Sequence, residues 1–68
     1  MAKEVNKENL RKYAEDHLND TANAVRNGYL DAKTAKGHVR ELFYLSAAFD
    51  LDLQEEARTI IKEMDKRL

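Results

Sequence analysis

Hydrophobic residues recur along this chain at intervals of three and four, the spacing that places side chains on one face of an α-helix. Asn6 is a suitable N-cap, and Asn27-Gly28 is a strong stop signal because glycine accepts the left-handed position after a helix. The pattern therefore predicts a first helix at about 7–27. The positions assigned to its apolar face are Leu10, Tyr13, Ala14, His17, Leu18, Thr21, Ala24 and Val25.

Two further amphipathic series follow the first. Asp31 is a suitable N-cap for a second helix at about 32–49. Asp52, with Glu55 three residues later, has the spacing of a capping box in front of a third helix at about 53–67. The apolar faces are assigned to Ala35, Val39, Leu42, Leu45, Ser46 and Phe49 in the second helix, and to Leu53, Ala57, Ile60, Ile61, Met64 and Leu68 in the third.

The connections between these helices are short, which favours antiparallel neighbours. We therefore predict an all-α fold, an antiparallel three-helix bundle, as one domain over residues 1–68 with a loose N-terminal tail at 1–6. The composition agrees, because the chain has no proline and only two glycines to interrupt helices. The main alternative is a helical hairpin that dimerises into a larger bundle, with the third helix packed across it.

The outer face of the second helix carries residues that the core does not need. On a helical wheel, Tyr44 lies opposite the centre of the apolar face. The outer face as a whole comprises Lys33, Lys36, Arg40, Tyr44, Ala47 and Ala48. Tyrosine and arginine are enriched at the energetic centres of protein interfaces, so this face is a candidate binding surface. The alternative interpretation is that Tyr44 lies over an intramolecular groove with its hydroxyl in water.

Charge is segregated along the chain although the formal net charge is only −1. Residues 21–40 contain four bases and one acid, whereas residues 41–56 contain five acids and no base. The acids cluster where the second helix ends and the third begins, at Asp50, Asp52, Glu55 and Glu56. The first interpretation of this acidic corner is favourable interaction of its carboxylates with a helix N-terminus. The second is that it steers a basic partner or mimics a phosphate-rich surface.

Residues suited to catalysis or metal binding are sparse. There is no cysteine, and the two histidines, His17 and His38, lack the spacing of a zinc motif. His17 falls within the first apolar series, so we predict a half-buried core residue. Asp50-Leu51-Asp52 lacks the glycine and the final glutamate of a calcium loop, and Ser46, the one serine, has no catalytic motif around it. We expect no enzyme activity, cofactor or metal.

No apolar run approaches the roughly 20 residues that a membrane-spanning helix needs. The N-terminal residues are polar and lack the apolar core of a signal peptide. We therefore expect a cytoplasmic protein without membrane contact.

These features favour a small helical protein-protein interaction module that docks a helix face on a protein partner or on a second copy of itself. Short helical proteins without motifs are often regulators or inhibitors of bacterial or phage origin, which is the class we expect. The alternative is a nucleic-acid-binding three-helix domain that uses Lys33, Lys36 and Arg40. We favour it less, because the third helix begins with acidic residues, which would repel phosphates.

Overall fold

The computed structural model describes residues 6–68 and contains three helices, α1 (Lys7–Arg26), α2 (Ala32–Phe49) and α3 (Gln54–Arg67). They form an up-down-up bundle in which α2 contacts α1 and α3 more extensively than those two contact each other. The predicted all-α three-helix bundle is confirmed, and its helix bounds differ from the prediction by at most one residue at each end. The predicted loose tail lies outside the described residues, apart from Asn6.

Helix α1 begins and ends at the predicted signals. The Asn6 side chain accepts a hydrogen bond from the backbone N–H of Asn9 at 2.8 Å, as an N-cap does. At the other end Gly28 adopts a left-handed conformation with φ +80°. The N–H groups of Gly28 and Tyr29 donate to the carbonyls of Val25 and Ala24, the pair of bonds that defines a Schellman motif. The chain is thereby turned sharply towards α2.

Helix α2 starts at Asp31, whose carboxylate accepts from both the backbone N–H and the hydroxyl of Thr34. It ends at Asp50, a left-handed residue with φ 55°, beyond which the Leu51 N–H donates to the Ser46 carbonyl at 2.9 Å. Aspartate tolerates this conformation better than most residues with a Cβ. The turn sends the chain back along α2.

The predicted capping box in front of α3 is wrong. Asp52 has a φ of 61°, which is incompatible with the extended backbone of an N-cap, and the cap position is occupied by Leu53 without a side-chain hydrogen bond. Instead, the Leu53 N–H donates to the buried hydroxyl of Ser46 at 2.8 Å, so a side chain of α2 satisfies the backbone N–H of the residue in front of α3. Leu51 and Leu53 are both buried, which leaves Asp52 between them facing solvent.

The core combines small residues, which let the helices approach closely, with larger aliphatic ones. Its buried apolar members are Ala14, Leu18, Ala22, Val25, Ala35, Val39, Leu42, Leu51, Leu53, Ala57, Ile60 and Met64. Thr21 and Ser46 are buried with them. Most predicted positions are confirmed; Ala22 and Leu51 were missed.

Four positions assigned to apolar faces are exposed: Tyr13, His17, Phe49 and Leu68. In α1 the buried line runs through Ala14 and Leu18, so Tyr13 and His17, one residue earlier in each turn, fall outside it. Phe49 is displaced because the left-handed turn at Asp50 brings Leu51 into the core instead. Leu68 lies beyond the last helical residue.

Candidate protein-interaction surface

Tyr44 lies on the outer side of α2 with 57% of its surface exposed. Four other residues of the predicted face are also exposed, namely Lys33, Arg40, Ala47 and Ala48, and Lys36 is partly buried. Much of the Tyr44 side chain is therefore in contact with water, whereas aromatic side chains in folded proteins are usually largely buried. The outer face of α2 is therefore available for contact with another molecule.

A groove of about 320 Å³ lies beside Tyr44, between α2 and α3. Phe43 and Ile61, both partly buried, give it an apolar lining. Its remaining lining residues are Lys36, Arg40, Tyr44 and Arg58. The groove therefore extends the predicted face from α2 onto α3. Its lining includes both aromatic rings and cationic side chains.

The sequence pattern did not identify Phe43, Arg58 and Ile61 as members of this surface. Phe43 lies on the shoulder of the α2 wheel, so the wheel alone could have placed it beside the outer face. The position of Arg58 depends on how α3 is aligned with α2, which no pattern within either helix reveals. In the structure its guanidinium carbon lies 5.5 Å from the centroid of the Phe43 ring, a cation–π contact.

The three cations of the groove differ in their partners. Lys36 forms an ion pair with Asp65 of α3, which neutralises it. Arg58 contacts the ring of Phe43, and neither it nor Arg40 forms an ion pair with any residue from 6 to 68. The groove therefore carries two positive charges that a partner carboxylate could match.

The acidic corner is exposed at all four residues, Asp50, Asp52, Glu55 and Glu56. Asp50 pairs with Lys7 at 3.3 Å, an ion pair between two well-exposed side chains that contributes little to stability. Glu55 and Glu56 occupy the first turn of α3, where negative charge interacts favourably with the helix dipole. Asp52, Glu55 and Glu56 form no ion pair within the described part of the chain.

The two histidines lie together on a different surface, between α1 and α2. The rings of His17 and His38 are 6.4 Å apart in an edge-on arrangement, and His17 stacks on Tyr13 at 6.2 Å. His17 is exposed, so the prediction of a half-buried core residue is wrong. Within residues 6–68, no group of three or more His, Asp or Glu side chains is arranged to hold a metal ion.

A third polar cluster ties the end of α1 to α3. Arg26 forms two hydrogen bonds with Glu63, at 2.6 and 2.9 Å, and Arg67 approaches the same carboxylate at 3.3 Å. These bonds, chiefly those from Arg26, hold the pKa of Glu63 below its usual value. The same interaction raises the pKa of Arg26. The cluster links helices within the molecule, so we assign it a structural role.

Comparisons with known proteins identify no relative: no protein-family profile, curated protein or solved structure matches the chain. No helix among residues 6–68 is long and apolar enough to cross a bilayer.

Proposed function

We propose that this protein is a small helical interaction module that docks the outer side of α2, together with the α2–α3 groove, on another protein. Tyr44 is the anchor, because it is an exposed aromatic side chain that lines the groove. Arg40 and Lys36 line the polar edge of the groove. Lys33 is exposed in the same sector of the α2 helical wheel. The short, uncharged Ala47 and Ala48 let a partner helix approach closely.

One observation carries the proposal: an exposed tyrosine borders a groove that combines an apolar lining with two cations that have no carboxylate partner among residues 6–68. Protein interfaces favour tyrosine and arginine at their centres and are depleted of lysine and acids there. We propose that the chain acts as a regulator or inhibitor by occupying a partner's surface, because short helical proteins without motifs often belong to that class.

The test uses affinity capture from the native cell extract, with bound proteins identified by mass spectrometry. Tyr44→Asp should remove the captured partner, because it places a charge at the centre of a desolvated contact. Tyr29→Asp is the matched control, since Tyr29 is also exposed, at 85%, but lies in the turn between α1 and α2. The proposal fails if both variants retain the same proteins as the native chain.

Arg58 is a further cation on the same face and supports the alternative function, nucleic-acid binding. Lys36 does not support it, because Asp65 neutralises its charge. Retention on DNA that falls steeply with salt, and is abolished by changing Lys33, Lys36 and Arg40 together, would favour it over protein binding.

A further inference from the structure

The α2–α3 groove combines apolar surface and positive charge from both of its helices. Phe43 of α2 and Ile61 of α3 are partly buried and supply the apolar lining. Arg40 lines the groove from α2 and Arg58 lines it from α3, and both side chains are exposed. Each helix therefore contributes one apolar residue and one guanidinium group to the same groove.

Two contacts between α2 and α3 set the length of this groove. Lys36 pairs with Asp65, and further along α2 the guanidinium carbon of Arg58 lies 5.5 Å from the centroid of the Phe43 ring. Lys36 and Phe43 are seven positions apart on α2, which corresponds to about 10 Å along the helix. The groove is therefore about two helical turns long, which suits one large side chain of a partner and the residues next to it.

Only part of the positive charge in the groove is neutralised within the described residues. Lys36 has a carboxylate partner in Asp65, whereas Arg40 and Arg58 form no ion pair with any residue from 6 to 68. A guanidinium group binds a carboxylate through two parallel hydrogen bonds, which gives the contact both strength and a defined orientation. Two such binding positions, one on each helix, are therefore open to a partner.

We propose that the groove binds an acidic segment of a partner protein, in which carboxylates lie on both sides of a large aliphatic or aromatic side chain. This inference rests on the proposed function, because it specifies the chemistry of the partner at the same docking face. The apolar side chain packs against Phe43, Ile61 and Tyr44, and the carboxylates bind Arg40 and Arg58. Charge complementarity of this kind selects the partner and orients it.

A nucleic-acid strand also offers negative charge and aromatic surface, but the groove suits it less. Binding to a strand uses a series of cations that follow its phosphates, whereas this groove offers two cations without an ion pair among residues 6–68. Asp65, which pairs with Lys36 at the groove, adds a negative charge that a run of phosphates would meet. Two separate carboxylates match the two guanidinium groups without this repulsion.

Fluorescence anisotropy with short synthetic peptides tests the proposal. The probe carries a central leucine flanked by glutamates, and the comparison peptide has glutamine in place of each glutamate. The native chain should bind the acidic probe about tenfold more tightly or better, because charge-assisted hydrogen bonds are added to the same apolar contact. Equal affinity for the two peptides, or no binding of the acidic probe at millimolar protein, contradicts the proposal.

Paired substitutions test whether the groove is the binding site. Arg40→Gln with Arg58→Gln should weaken binding of the acidic probe by about tenfold or more and leave the affinity for the glutamine peptide nearly unchanged. Lys7→Gln with Lys12→Gln is the matched control, since it also removes two positive charges but from α1, whereas the groove is lined by α2 and α3. Circular dichroism establishes that each variant is folded. Equal losses in the two variants would show that the probe responds to net charge, and the groove would not be its site.

A single-stranded oligonucleotide of similar length is the second probe. If it binds more tightly than the acidic peptide and loses affinity in the Arg40→Gln, Arg58→Gln variant, the ligand is a nucleic acid and the proposal is overturned. If Tyr44→Asp removes a captured protein but the acidic peptide binds no better than the glutamine peptide, the docking function stands and the acidic chemistry is wrong. If the acidic peptide binds through the two arginines while capture does not depend on Tyr44, the chemistry of the groove stands and the wider docking face is wrong.

Discussion

Ser46 shows how one buried hydroxyl can hold two elements together. It is fully buried, its oxygen accepts from the Leu53 N–H at 2.8 Å, and its proton goes to the Gln54 side chain at 2.9 Å. The N-terminus of α3 has no side-chain cap of its own. The sequence placed Ser46 on the core face but gave no indication of this bond, which spans seven residues and depends on the turn between the helices.

Replacing Ser46 with alanine should destabilise the protein, because the Leu53 N–H would be left buried without an acceptor. The expected loss is on the order of 1–3 kcal/mol in the free energy of unfolding, measured by urea denaturation. Gln54→Ala should cost less, since Gln54 is only partly buried and the Ser46–Leu53 bond would remain. Equal losses in the two variants would show that the Ser46–Leu53 bond does not hold the start of α3 in place.

Glu63 makes the stability depend on acid pH. A carboxylate whose pKa is lowered in the folded state stabilises that state once the pH is above the pKa that the group has in the unfolded chain. The stabilisation is therefore complete at neutral pH and is lost as the pH falls through the lowered pKa. Glu63→Gln should flatten this part of the stability profile in thermal melts. Glu41→Gln should not, because Glu41 is exposed and forms no ion pair with the part of the chain that the structure describes. Parallel profiles for Glu63→Gln and the native chain would contradict this role.

At the scale of the elements, the periodic pattern predicted the three helices and two of their N-caps because these depend on nearby residues. It failed where the chain turns. Phe49 fits the helical period of α2, and the pattern contains no sign that the left-handed Asp50 will bring Leu51 inward instead. The capping box at Asp52 failed for the same reason, since the burial of Leu51 and Leu53 fixes the turn.

The contrast between Leu51 and Phe49 is measurable. Leu51→Ala should lower the free energy of unfolding by about 2–5 kcal/mol, because Leu51 is 1% exposed and its loss leaves a cavity. Phe49→Ala should change it by less than about 1 kcal/mol, since more than half of Phe49 is already exposed. If Phe49→Ala lost more free energy of unfolding than Leu51→Ala in urea denaturation, Phe49 and not Leu51 would belong to the core, and the explanation of the turn would be wrong.

At the scale of the whole molecule, the candidate surface was predictable only in part. Tyr44, Arg40 and the lysines could be placed on one face because they belong to a single helix. The groove could not be predicted, because Arg58 and Ile61 reach it only when α3 packs on α2 in one particular alignment. A site formed between two helices can be predicted only from the tertiary structure, whereas a site on one helix can be predicted from the helical periodicity of its residues.

Binding through the face that contains Tyr44 is the central claim, and the most direct measurement is the amount of partner retained by the Tyr44→Asp bait relative to the Tyr29→Asp bait. Both baits should unfold at nearly the same denaturant concentration as the native chain, since both tyrosines are exposed. Partner recovery should fall by about tenfold or more for Tyr44→Asp and stay at the native level for Tyr29→Asp. Equal recovery from the two folded baits would contradict binding through the face that contains Tyr44.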